Sequence, residues 1–312
     1  MAKIPVVDLD ADLELEGCRA WGILRDEGYF YLTGSKVADM GLEQLVAVAE
    51  EFFRMPFSEK MTYHISESTC HRGYYPPGEE GPAEGISDLK EGFDSGLFET
   101  RAGHDDHAVS SPDCSPPVPG FLATVACYHS AMTDIAHALS VVIARAIGMP
   151  DRFFLERSQH PPNQLRLLHY PASATPRQGV GTHKDFECFT LLASTGPGLE
   201  VERPDGTWTL VPPRQDTLVV TAGEMLEILT NGALLAARHK VGWIRDDRYS
   251  FPYFFSFDRH ILVEPLDQFV GPAGIHYASV TAGDHLQART SQVFRYLRNR
   301  EQGKRDHLRQ QS

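Results

Sequence analysis

The character of the chain changes at Pro161. Beyond it run short, alternating apolar segments separated by turn signals: 164–170, 183–192, 199–202, 208–211, 216–221, 234–241 and 249–257. Pro204-Asp205-Gly206 reads as a hairpin turn and Asn231-Gly232 as a second turn. Many short strands at close spacing predict a β-sandwich or barrel. Before Pro161 the periodicity is helical. Leu42, Leu45, Val46, Ala49, Phe52 and Phe53 fall on one face of a helix that Pro56 ends. Residues 120–147 form the longest helix, with Tyr128, Met132, Ile135, Leu139, Val142 and Ala146 on its apolar face and Gly148 and Pro150 after it. A short strand at 4–9, a helix near 11–27 and an aromatic strand at 29–32 open the chain, and a last helix is expected near 282–298. Residues 62–119, rich in glycine, proline, serine and acid, read as long irregular loop.

Composition removes whole classes of function. A net charge of −13 with no basic block disfavours nucleic acid as a partner. No apolar run is long enough to span a membrane, and the N-terminus lacks the apolar core of a signal peptide. Cys18, Cys70, Cys114, Cys127 and Cys188 are odd in number and scattered without a CxxC pair. That argues against a disulfide framework or structural zinc site and for a reducing, cytoplasmic setting. The 14 histidines are then the unusual quantity.

His183-Lys184-Asp185 lies in a strand-like run, where residues two apart share a face, so imidazole and carboxylate point the same way. His239, in the run 236–241, supplies a third candidate ligand. Two histidines and one carboxylate with open positions are the facial arrangement suited to non-haem Fe(II). The pair alone is weak, since about one chance H-x-D is expected at ordinary residue frequencies. His104-Asp105-Asp106 is such a decoy, read as a solvated acidic loop. Nine residues after His239, Arg248 and Ser250 share a strand face, an arginine fork beside a hydroxyl that together make a carboxylate clamp. Arg166, Leu168 and Tyr170 share another face, and the Tyr170 phenol can reach a second oxygen of the same ligand.

At this point the chain resembles the isopenicillin N synthase-like branch of the Fe(II)/2-oxoglutarate-dependent oxygenases, over nearly its whole length. The resemblance rests on Ile4–Leu9, Gly28–Leu32, Arg72-Gly73-Tyr74 and Asp88–Glu91 in the first part. In the second it rests on Gly181–Asp185, Gly198–Val201, Met225-Leu226-Glu227, Thr230-Asn231-Gly232, Arg238–Val241 and Arg248-Tyr249-Ser250. It implies a mainly β fold with α: a distorted double-stranded β-helix, or jelly roll, with packed helices and a helical N-terminal section. Residues 1–120 are expected to be the N-terminal region and 121–312 the jelly-roll domain of one globular unit. The resemblance further implies His183, Asp185 and His239 as iron ligands, and Arg248, Ser250 and Tyr170 as partners of the distal 2-oxoglutarate carboxylate. Fe(II), 2-oxoglutarate and O2 are the implied cofactor and cosubstrates, and hydroxylation, desaturation or ring closure of a small molecule, in specialised metabolism, the implied outcome. Two departures stand out: Leu168 where many members have asparagine, and Glu224 where they have aspartate.

Two other readings stay open at this stage. One is a 2-oxoglutarate-independent Fe(II) oxidase of the isopenicillin N synthase type; the other is a non-catalytic jelly-roll binding protein. Among candidate substrate residues, Phe254 is either a pocket wall or core. Tyr74 and Tyr75 either close over the pocket or pack their loop down. Arg166 either binds an anionic substrate or sits in a structural ion pair. Phe186 and Phe189 are read as core, and Cys188 is given no role.

Overall fold

A computed structural model describes residues 4–68, 71–81, 88–96, 116–175, 178–300 and 302. Two sheets face each other. The larger has eight strands. From one edge these are β1 (Val6–Asp8), β2 (Tyr29–Thr33), β10 (Leu218–Ala222), β7 (Phe189–Ser194), β12 (Arg248–Phe255), β5 (Gln164–Tyr170), β4 (Glu91–Gly96) and β3 (Gly73–Tyr75). The smaller holds β6 (Gln178–His183), β11 (His239–Trp243), β8 (Leu199–Glu202) and β9 (Trp208–Leu210). β13 (Leu262–Val263) and β14 (Val280–Thr281) form a separate pair. This is the jelly-roll architecture, with a helical N-terminal region.

Helices α1 (Leu13–Asp26), α2 (Ser35–Ala38), α3 (Leu42–Phe53) and α4 (Phe57–Lys60) precede the long α5 (Phe121–Ala146). Asp12 caps α1 by accepting from the amides of Glu14 and Leu15. Met132, Ile135, Leu139 and Val142 of α5 are fully buried, in one cluster with Leu191, Ala193 and Phe251 of the large sheet. Each such side chain contributes about 1.5–3 kcal/mol of burial. The outer face of the large sheet is therefore sealed by helix. Its inner face is left for the cavity between the sheets.

Four expectations change. The span 62–119 is not simply loop: its described part supplies β3 and β4, and β4 pairs with β5 from Glu91↔His169 to Gly96↔Gln164. Its strand signal is masked because Glu91, Asp94 and Ser95 are buried polar residues where alternation calls for apolar ones. The run 183–192 is two strands in two sheets: β6 ends at His183 and pairs with β11, whereas β7 starts at Phe189 between β10 and β12. The run 234–241 becomes strand only at His239, because Ala236 and Ala237 bond elsewhere, to Glu227 and Ala222. The last helix, α7 (Ala282–Val293), is interrupted at Phe294, which bridges to Glu80, and helix resumes over 295–300. One further element, α6 (Glu224–Leu229), had no expected counterpart, being too short to show a period.

Candidate active site

The cross-over between the sheets builds the site. His183 and His239 are register partners at the adjoining ends of β6 and β11, with ring centroids 4.2 Å apart. Asp185 lies in the turn that leaves β6, not on a shared strand face, and its Oδ1 is 3.9 Å from His183 Nε2 and 3.6 Å from His239 Nε2. Among the described residues these three form the group able to hold a metal ion, with ligand atoms all within 4.8 Å of one another. Each imidazole is oriented from behind. Nδ1 lies 2.9 Å from Gly181 O in His183 and 3.0 Å from Ala237 O in His239, which as an Nδ1–H donor leaves Nε2 free to face the cluster. Burial and the neighbouring His239 push the His183 imidazole below its usual pKa, toward the neutral form that ligates. Asp185 Oδ2 accepts from Thr190 Oγ1 at 2.6 Å, leaving Oδ1 for the cluster.

Helix α6 locks the turn. The amides of Gly223, Glu224 and Met225 donate to the carbonyls of Cys188, Asp185 and Glu187. The approach is so close that a Cβ on Gly223 would sit 2.2 Å from Glu187 O. Glu227 then ties both ligand segments together: it accepts from Lys184 Nζ at 2.8 Å and from Ala236 N at 2.7 Å.

A cavity of about 640 Å³ opens from this cluster between the sheets. On one side stands Arg248, 1% exposed. Its Nε donates to Gly196 O at 3.0 Å, while Nη1 and Nη2 are buried without a hydrogen-bond partner. Tyr170, its register partner on β5, lies beneath the guanidinium at 4.8 Å from ring centroid to Cζ. Ser250 lines the same cavity two residues along β12. Leaving a guanidinium buried and unpaired costs several kcal/mol, and an incoming carboxylate relieves it. The fork geometry matches that group. The residues therefore fit both a divalent metal with N/O preference and a carboxylate ligand. A larger surface cleft, about 800 Å³, between 38–44 and 213–217 holds none of this chemistry.

The remaining predicted residues divide. Phe254 lines the cavity. Arg166 does too, but its Nη1 donates to Glu80 at 2.6 Å and its Nε faces Asp94 at 3.2 Å. Tyr74 and Tyr75 do not line it; both are fully buried on β3. The Tyr74 hydroxyl donates to Glu91, and Tyr75 packs edge-on against Phe294. An edge strand clasped between β4 and the C-terminal segment has no freedom to act as a lid. Phe186 lines the cavity rather than the core, whereas Phe189 and Cys188 are fully buried in the core. The decoy His104 and Asp106, with Cys70 and Cys114, lie outside the described residues.

Sequence reasoning missed the cavity's charged wall and the C-terminal residues that line it. Lys90 Nζ lies 2.8 Å from both Glu80 and Asp88. Glu187 also faces the cavity, its carboxyl raised to about 7 by burial and the Asp185 charge. A glutamate inside the apolar run 186–192 was the available signal. Thr290, Val293 and Phe294 also line the cavity, with no signal in the sequence because the helical pattern runs through them.

Two family descriptions match: the 2OG-Fe(II) oxygenase superfamily over residues 161–257, and the N-terminal region of non-haem dioxygenases, described from morphine synthesis, over residues 4–116. A 2-oxoglutarate-dependent dioxygenase of Dothideomycetidae sp. (strain 11243) is 29% identical, over 85% of this chain and 77% of that protein. A solved 2OG-Fe(II) oxygenase family protein from Caulobacter crescentus is 28% identical, with a TM-score of 0.80 over 93% of this chain and 99% of that one. A Neurospora crassa protein solved with alpha-KG shares the fold at 24% identity and TM-score 0.78, over 92% of this chain and 95% of that one. The chain belongs to the 2OG-Fe(II) oxygenase superfamily and is a 2-oxoglutarate-dependent dioxygenase, working with Fe(II), 2-oxoglutarate and O2.

Proposed function

We propose that His183, Asp185 and His239 hold the iron, and that Arg248, with Ser250 and Tyr170, holds the distal carboxylate of 2-oxoglutarate. The observation that carries this reading is the pair of unpartnered Arg248 nitrogens in the cavity that also contains the triad. Bound there, Fe(II) and 2-oxoglutarate supply oxygen activation, one oxygen atom going to the substrate and the other into succinate as CO2 is released. The protein's part is positional. The carbonyls of Gly181 and Ala237 fix the imidazole tautomers, Thr190 fixes the carboxylate, and α6 keeps the 185–188 turn rigid. Arg248 aligns the cosubstrate by a bidentate ion pair in a site with little water, where that pair is strong.

The substrate of this reading is a small molecule of specialised metabolism; a cavity of about 640 Å³ suits a metabolite rather than a polymer. Residues 1–120 and 121–312 act as one unit, supported by β1–β4 lying in the same sheet as β5, β7, β10 and β12. A cytoplasmic setting is supported by the free thiols of Cys18, Cys127 and Cys188. No helix among the described residues is long and apolar enough to cross a membrane. The test is anaerobic loading with Fe(II) followed by 2-oxoglutarate. A visible charge-transfer band, abolished in Arg248→Met and His239→Ala, supports the assignment. A band of undiminished strength in both variants overturns it.

A further inference from the structure

Two of the cations lining the cavity are already paired. Lys90 is bracketed by Glu80 and Asp88, and Arg166 by Glu80 and Asp94. Asp94 is held a second time by Gln164 Nε2 at 2.7 Å. Two cations thus meet three carboxylates, and neither cation has a charge to spare for an anionic substrate. The Arg166 guanidinium is further enclosed by the rings of Phe254 and Phe294, at 5.5 and 5.4 Å. Glu187 differs from every other carboxylate lining this cavity. Glu80 and Asp88 are ion-paired, and Asp185 belongs to the metal cluster. Glu187 has no ion pair among the described residues; one of its oxygens accepts from Phe186 N at 3.1 Å. It stands two residues past Asp185, so a group held by it lies beside the reacting centre.

We propose that Glu187 is the substrate-recognition residue of this cavity, and that it receives a cationic nitrogen group, an ammonium or guanidinium, carried by the substrate. This rests on the metal and 2-oxoglutarate assignment above. In a largely enclosed cavity a carboxylate–cation pair is worth far more than in water. Phe186 and Phe254 add apolar surface for the carbon skeleton next to that charge.

The test uses the full chain loaded with Mn(II) and 2-oxoglutarate, O2 excluded, at about pH 8, where carboxylates are ionised and alkylamines still charged. Phenethylamine, phenethyl alcohol and 3-phenylpropionate are titrated by calorimetry as cationic, neutral and anionic probes of similar size. The amine is expected to bind at least about tenfold more tightly than the acid, with the alcohol between. In Glu187→Gln that preference falls to about twofold or less. The 2-oxoglutarate affinity measured in the same cell reports whether the variant keeps its site; if it does not, the wild-type order of the three probes decides alone. Equal or undetectable binding of the three probes to the wild type overturns the proposal, as does a preference that survives in Glu187→Gln. A wild type that binds no 2-oxoglutarate overturns the metal and cosubstrate assignment as well, which separates the two failures.

Discussion

Two arginines face one cavity and are held in opposite ways. Arg166 on β5 is ion-paired: its Nη1 donates to Glu80 and its Nε lies 3.2 Å from Asp94, and although burial works against the charge, those two carboxylates outweigh it and keep the guanidinium charged. Arg248 on β12 keeps one backbone hydrogen bond and leaves two nitrogens bare, and burial pulls its pKa down. An ion paired with carboxylates serves the fold, whereas a bare buried one is tolerated only where a ligand completes it. From strand parity alone both side chains point into the cavity. Only the distribution of carboxylates around them distinguishes a structural cation from a binding one.

That difference is broken most sharply by replacing each with methionine. Arg248→Met should weaken 2-oxoglutarate binding by about 10²–10³-fold, the size expected when one partner of a buried charge pair is lost. It should leave thermal stability unchanged or slightly raised, because an unpaired buried charge has been removed. Arg166→Met should do the reverse. It strands Asp94, while Glu80 keeps Lys90, lowering stability by about 3–5 kcal/mol, with 2-oxoglutarate affinity altered less than about threefold. Paired denaturant melts and 2-oxoglutarate titrations read both. Equal effects of the two changes on both quantities would abolish the distinction. Adding Asp94→Asn to Arg166→Met should return part of the lost stability, since a stranded charge is removed; a further loss would mean that Asp94 is held by Gln164 rather than by Arg166.

How much of this was legible beforehand follows from local versus long-range physics. The face shared by Arg248 and Ser250 comes from strand alternation, a local property, whereas the Arg248↔Tyr170 proximity comes from the register of β12 on β5. His183 and Asp185 do converge, but not for the reason alternation gives. The strand ends between them, and α6 holds the turn through backbone hydrogen bonds that no side-chain pattern encodes. Asp94, Glu91 and Lys90 hid a strand because their charges are neutralised by Arg166, Lys60 and Glu80, residues 10 or more positions away. Phe294 had no signal at all: its ring packs against His71 and Tyr75, more than two hundred residues earlier in the chain.

The smallest effect concerns His71, which packs edge-on against Phe294 at 4.4 Å and shares a hydrogen bond with the Tyr296 hydroxyl. Its pKa is lowered to about 3, first by burial and then by the Arg166 charge. The folded state therefore resists protonating an imidazole that the unfolded chain protonates near 6.5. Stability from this group is complete above pH 6.5 and is lost as pH falls toward 3, by at most about 1.4 kcal/mol per unit. His71→Phe should flatten that part of the profile between about pH 6.5 and 5. Arg166→Met should flatten it less, because burial, the larger cause, persists while the repelling charge goes. Melts of the three proteins across that range give the comparison. An unchanged slope in His71→Phe would assign the acid sensitivity to other groups. A slope that Arg166→Met abolishes outright would make the guanidinium, rather than burial, the reason His71 stays neutral.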